Sequence, residues 1–225
     1  GGTLWVFYAG HGAVNANGER MVLGTETRPQ DLTSGGLLLK DLVRKLERSR
    51  RARRVVLVLD AGFGNTDRDG FVLVPGRDVE FEVGFGGVET ARTVVWAATT
   101  GTEAAVPYAA AKHGLFTWTA LGALRGWADG AVDGRADGRL TFEELQTYVA
   151  DAGRALGHPV TPTEPRSDAA AWVLGQGSHL EAPPSPGVMA ALGRADLVRR
   201  LDEAESVLRA DAMAFWADTL VQVQE

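Results

Sequence analysis

The chain has 225 residues, 29 acidic against 23 basic for a net charge of −6, 45% apolar residues and no cysteine. The apolar share suits one domain of ordinary size, or one domain with a helical appendage. The negative balance argues against a general nucleic-acid binder, because affinity for phosphate backbones comes largely from basic residues. The missing cysteines exclude disulfides, thiolate metal sites and every cysteine nucleophile.

TLWVFYA (3–9) is a short apolar run that feeds a loop at Gly10, His11 and Gly12, which predicts a buried strand. Asn17-Gly18 predicts a hairpin turn after it. In GLLLKDLVRKLERS (36–49), Leu38, Leu39, Leu42, Val43 and Leu46 share one helical stripe. VVLVL (55–59) is the next buried strand, so strand, helix and strand predict a parallel pair with a right-handed crossover. Between them lies RSRRARR (48–54), read as cations complementing a helix C-terminus, or alternatively as a docking patch for an acidic partner.

Residues 61–92 are rich in loop formers, with short strands expected near 71–74 and 79–83. TVVWAAT (93–99) predicts a third buried strand, 113–129 a helix, 140–156 an amphipathic helix and AAAWVLG (169–175) an edge strand. EAPPSP (181–186) has linker composition, and 187–225 reads as an amphipathic helical segment around Met213, Phe215 and Trp216. The domain boundaries expected are therefore an α/β domain over 1–176, a Pro-rich linker over 177–186 and the helical segment over 187–225. Trp5, Trp96, Trp118, Trp127 and Trp172 are expected in or beside the core.

No apolar run reaches about 18 residues, so no transmembrane helix or membrane partner is expected. The opening GGTLWVFYAG carries no basic leader, which gives an expectation of a cytoplasmic location. Because it opens directly on a strand, the chain is expected to be part of a longer multidomain protein. The 20 arginines against 3 lysines point to a GC-rich, bacterial genome.

In an open α/β sheet, functional groups collect at the carboxyl ends of the strands. Two such ends are YAGHG and LDAGFGN. His11, between two glycines, is placed to act as a general acid or base because imidazole titrates near neutrality. Asp60 ends the second strand, and Gly62 lies 51 residues after His11.

These segments resemble the caspase and metacaspase superfamily of cysteine peptidases (clan CD). The family's histidine sits in F-Y-x-G-H-G, matched by Phe7, Tyr8, Gly10, His11 and Gly12; its cysteine sits in D-A-C-F-S-G, matched by Asp60, Ala61 and Phe63. The later HGLFTWTALGALRG and ADGRLTFEELQTYV look like the helix, acidic loop and helix of bacterial caspase-like proteins. The resemblance covers roughly residues 3–175. It implies a caspase-like α/β fold, a mainly parallel sheet with helices on both faces (a three-layer α-β-α sandwich), with the family's first strand or two missing.

The departure is at the centre, where Gly62 stands at the cysteine position. The family mechanism needs a thiolate attacking the scissile carbonyl while histidine handles the proton. Loss of such a nucleophile costs roughly a million-fold in kcat. The resemblance thus implies an inactive pseudoprotease that binds a peptide or protein partner and requires no cofactor. The alternative is a cysteine endopeptidase cleaving after Arg or Lys, if Gly62 replaces a native cysteine. A weaker alternative is a phosphate-handling hydrolase using Asp60. In metacaspases the equivalent of Asp60 lines the primary specificity pocket, so it would receive Arg or Lys; as a buried carboxylate it could equally accept backbone N–H bonds and hold the loop. The family's serine before Gly-His is Ala9 here.

DGRADGRLTFEE (133–144) places Asp133, Asp137 and Glu144 at positions 1, 5 and 12 of the calcium-binding EF-hand loop, with the cation Arg135 at position 3. The alternative is a helix-connecting turn with Thr141 as N-cap and Glu144 closing a capping box. Glu26, Asp31, Asp67 and Asp69 form a second acidic set on loops where metacaspases can hold calcium.

Overall fold

The computed structural model describes residues 2–15, 17–28, 31, 35–48, 52–64, 85, 87–101, 104–108, 112–158 and 168–176. Its elements in chain order are β1 (Thr3–Ala9), β2 (Gly12–Val14), β3 (Arg20–Leu23), β4 (Gly36–Leu38), α1 (Leu39–Arg48), β5 (Arg54–Asp60), β6 (Thr93–Ala97), β7 (Pro107–Tyr108), β8 (His113–Gly114), α2 (Leu115–Gly122), β9 (Arg139–Thr141), α3 (Phe142–Ala155) and β10 (Val173–Gln176). The protein is mixed α/β, built on a parallel three-stranded sheet in the order β1-β5-β6.

β5 reads as an unbroken apolar run because both of its faces are covered. Successive side chains point to opposite faces, so Val56 and Val58 enter one cluster and Leu57 and Leu59 the other. On the first face, Phe116 and Ala120 of α2 join Phe142, Leu145 and Val149 of α3 and Trp172. Trp96 lies at its centre, edge-on to Phe116 at 5.5 Å and to Phe142 at 6.2 Å. On the second face, Leu39 and Val43 of α1 join Val14, Val22, Phe63 and Phe85. Each fully buried side chain of this size contributes about 2 kcal/mol. Helices therefore pack on both faces of the sheet, as expected, but β1, expected to be buried, is an edge strand with no fully buried residue and with Phe7 57% exposed. Trp96 and Trp172 are buried, and Trp5 packs against the first cluster.

The smaller sheets are local. β2 and β3 form the expected hairpin, turning at Gly18 with φ 78°, a conformation glycine adopts without strain. Gly36–Leu38, expected as the first turn of the helix, instead pairs antiparallel with β3 as β4. The apolar stretch GLLL does not distinguish helix from strand, and the exposed hydrogen-bonding edge of β3 decides it. The strand expected over 93–99 is paired over Thr93–Ala97.

The helix expected over 113–129 is interrupted as well. His113 and Gly114 pair with β7, α2 ends at Gly122, and Ala123–Trp127 forms a π-helical turn containing Gly126 at φ 110°. The Trp127 ring lies against Gly122, where any side chain would collide with it. α3 starts where expected: the Thr141 side chain accepts the Glu144 N–H while the Glu144 carboxylate accepts the Thr141 N–H. The strand expected over 169–175 is shorter, β10 starting at Val173 after a turn over 168–171 and pairing antiparallel with β9. The strands expected near 71–74 and 79–83, the linker and the helical segment beyond 187 lie outside the described residues. Among the described residues no helix is long and apolar enough to cross a membrane.

Candidate functional site

β1 and β5 run in register down to the pair Ala9 and Asp60. Their hydrogen bonding continues into the loops. The Gly10 N–H donates to the Asp60 carbonyl at 3.2 Å, and the Gly12 N–H to the Gly62 carbonyl at 3.0 Å. His11 is thus held between two glycines that are both tied to the LDAGFGN loop. Gly12 permits this approach: a Cβ there would lie 2.7 Å from the Gly62 carbonyl oxygen and 2.5 Å from the Phe63 ring.

The backbone of His11 is fixed while its imidazole stays exposed. Its carbonyl accepts the Tyr8 hydroxyl at 2.7 Å and the Leu23 N–H at 3.0 Å. Burial pushes the Tyr8 phenol up from its ordinary value, against the opposing effect of its bonds to the Leu23 and His11 carbonyls. Tyr8 therefore remains a hydroxyl donor at neutral pH. Within FYAGHG the tyrosine thus reaches forward to brace the backbone of its histidine.

The second loop is anchored through Phe63, which is 1% exposed and meets Phe85 edge-on at 5.5 Å. Gly62 sits between buried Ala61 and Phe63. Arg20 of β3, itself buried, lies over the Phe85 ring at 4.7 Å and the Phe63 ring at 5.9 Å, and donates to the Thr100 carbonyl at 3.1 Å. It joins the hairpin to the ends of β5 and β6. Sequence reasoning missed Arg20, because nothing distinguishes it from the other arginines of the chain.

Asp60 is 1% exposed and faces the start of α2. Its Oδ2 accepts the Thr117 hydroxyl and, at 3.4 Å, the Thr117 N–H. The helix N-cap is Gly114, which has no side chain to offer, so a carboxylate 57 residues away supplies the negative end. A Cβ on Gly114 would overlap Asp60 Oδ2. Asp60 Oδ1 is buried and has no hydrogen-bond partner among the described residues. The structural reading of Asp60 is thus seen at Oδ2, which holds Thr117 of α2 where backbone N–H bonds within its own loop were expected.

The EF-hand spacing does not bring its carboxylates together. Asp133 accepts the Arg135 N–H at 2.9 Å and Asp137 the Arg139 N–H at 2.9 Å. Glu144 accepts the Gly130 N–H at 3.0 Å through one oxygen and the Thr141 N–H and hydroxyl, each at 2.8 Å, through the other. Asp129 takes the N–H groups of Asp137 and Gly138, both at 2.9 Å. The loop is folded on its own backbone donors, and these residues do not fit a bound calcium ion as arranged. Of the second set, Glu26 and Asp31 are exposed, while Asp67 and Asp69 lie outside the described residues. Among the described residues, no three His, Asp or Glu side chains are grouped to hold a metal.

The site is therefore an exposed histidine hydrogen-bonded through its neighbours to a strand-end loop, beside a buried, half-satisfied carboxylate. No protein-family model matches the chain, and no curated protein matches it.

Proposed function

We propose that the chain is a catalytically inactive caspase-like domain that binds a peptide or protein segment at the carboxyl end of its sheet. The observation that supports this reading is the pair of hydrogen bonds from Gly10 and Gly12 to Asp60 and Gly62, which puts His11 beside position 62. A histidine adjoining a nucleophile loop is the arrangement that covalent peptide cleavage needs. At this position the loop offers only backbone, so no acyl intermediate forms and a bound segment is held uncut. Asp60 Oδ1 supplies a buried negative site for an Arg or Lys side chain, whose cation would satisfy that oxygen.

The test is Gly62→Cys in the full chain. The new thiol is expected to react with iodoacetamide at least about tenfold faster at pH 7 than free cysteine, because His11 stabilises the thiolate. His11→Ala on that background removes the gain. Equal rates with and without His11 would mean that the two positions do not act as a pair. In the unaltered protein, peptides ending in Arg are expected to bind in preference to peptides ending in Asp, with no cleavage of either. Equal binding would remove the role of Asp60.

A further inference from the structure

The opposite end of the same strands carries a second charged feature. Two adjoining cavities, of about 530 and 750 Å³, flank Arg92 at the amino ends of β5 and β6. The larger is lined by Arg53, Arg54, Arg92 and Trp172 together with two alanines, and by no acidic residue. In the smaller, the one carboxylate is Glu47, which accepts the hydroxyls of Thr90 and Thr93.

The sequence offers a simple role for the arginines of 48–54, as cations meeting the carbonyl end of α1. Arg92 shares in that role through the Glu47 carbonyl of α1 and also binds the strand-entry carbonyls beyond it. Its guanidinium donates to the carbonyls of Ala52 at 2.5 Å, Glu47 at 3.4 Å and Arg53 at 3.4 Å. Arg53 is exposed, and Arg54 is stacked on Trp172 with its guanidinium carbon 4.6 Å from the ring centroid. A guanidinium over an aromatic face keeps its N–H donors available to an acceptor beside the ring. No carboxylate among the described residues forms an ion pair with Arg53 or Arg54.

We propose that this groove docks an acidic peptide segment of a partner protein, with Arg53 and Arg54 receiving its carboxylates as planar, bidentate donors. A cavity of this size holds a few residues of an extended chain. Nucleic acid is the poorer fit. A long polyanion meets the whole surface, whose net charge is −6, whereas a short acidic segment needs complementarity only within about 10 Å. The groove lies at the other end of the strands from His11, so a partner docked here leaves the candidate peptide site uncovered.

The test uses the full chain and a fluorescein-labelled glutamate-rich decapeptide, followed by anisotropy at low salt. Saturable binding is expected, weakened about tenfold or more by the double substitution Arg53→Gln with Arg54→Gln, and unchanged by Arg125→Gln at an exposed site elsewhere. Raising the salt to about 0.5 M should weaken it comparably. Should the double variant lose its circular dichroism, Arg53→Gln alone, at an exposed position, is expected to weaken binding about threefold. The proposal is overturned by no saturable binding at low salt, by no effect of either arginine variant, or by an equal loss with Arg125→Gln. Tighter binding of a single-stranded oligonucleotide than of the peptide would also overturn it, pointing to nucleic acid instead.

Discussion

Glu144 and Asp60 are both buried carboxylates set against the first turn of a helix, 7% and 1% exposed. Glu144 serves its own helix, three residues from its Thr141 partner, and both of its oxygens accept hydrogen bonds. Asp60 reaches α2 from another element and uses one oxygen of two. A carboxylate with both oxygens engaged is a structural part with little left to offer a ligand. One buried with an oxygen unmet carries a desolvation cost of about 1–3 kcal/mol that a cationic ligand could relieve. The same chemistry thus divides into a cap at Glu144 and a candidate binding group at Asp60.

The largest way to break this contrast is Gly114→Ala. Gly114 has φ −65° and ψ 146°, which alanine adopts freely, so any cost comes from the methyl meeting Asp60 rather than from backbone strain. We expect a loss of about 3 kcal/mol in urea denaturation. Asp60→Ala in the same chain should return part of it, making the pair non-additive. Simple additivity would show that the carboxylate does not seat against Gly114.

A sharper comparison sets Asp60→Asn beside Glu144→Gln. Each keeps an acceptor oxygen and removes the charge, so each should cost about 1 kcal/mol of stability. Only Asp60→Asn is expected to lower binding of Arg-terminated peptides, by tenfold or more. If both variants bind such peptides equally, the open oxygen has no ligand role.

The smallest effect concerns a neutral counterpart. The Tyr148 hydroxyl is buried and without a hydrogen-bond partner among the described residues, and burial pushes its phenol up to about 12. A phenol whose folded value lies above its unfolded one, near 10, keeps its stabilising contribution at lower pH. That contribution is lost as pH rises from about 10 through 12. Tyr148→Phe should be within about 1 kcal/mol of the parent at pH 7. It should also lose less stability than the parent between pH 10 and 12, measured by denaturant titration at each pH. Parallel pH curves for the two proteins would show that this hydroxyl is not buried on folding.

Much of the local structure was legible because its determinants are close together in the chain. VVLVL reads as a doubly covered strand from composition, and Thr141 with Glu144 reads as a capping box from spacing. His11 between two glycines was legible as a strand-end group, and Gly12 proves to be required by the approach of Gly62 and Phe63. The EF-hand spacing around Asp133 matches positions, but spacing carries no information about competing donors. Backbone N–H groups of the same loop take one oxygen each of Asp133 and Asp137 and, with Thr141, both of Glu144.

Taken alone, the sequence determined the central strands, the cap of α3, the absence of a thiol and the candidacy of His11 and Asp60. Each rests on residue type, or on spacing within a few positions. Tertiary structure decided the bonding of Asp60 to Thr117, the burial of Arg20 against Phe63 and Phe85, and the reach of Arg92 to the Glu47 carbonyl at the end of α1. The physical reason is the same in each case. A hydrogen bond or ring contact between residues 40 or more positions apart depends on how packed elements meet, and no periodicity in the chain encodes which donor arrives first.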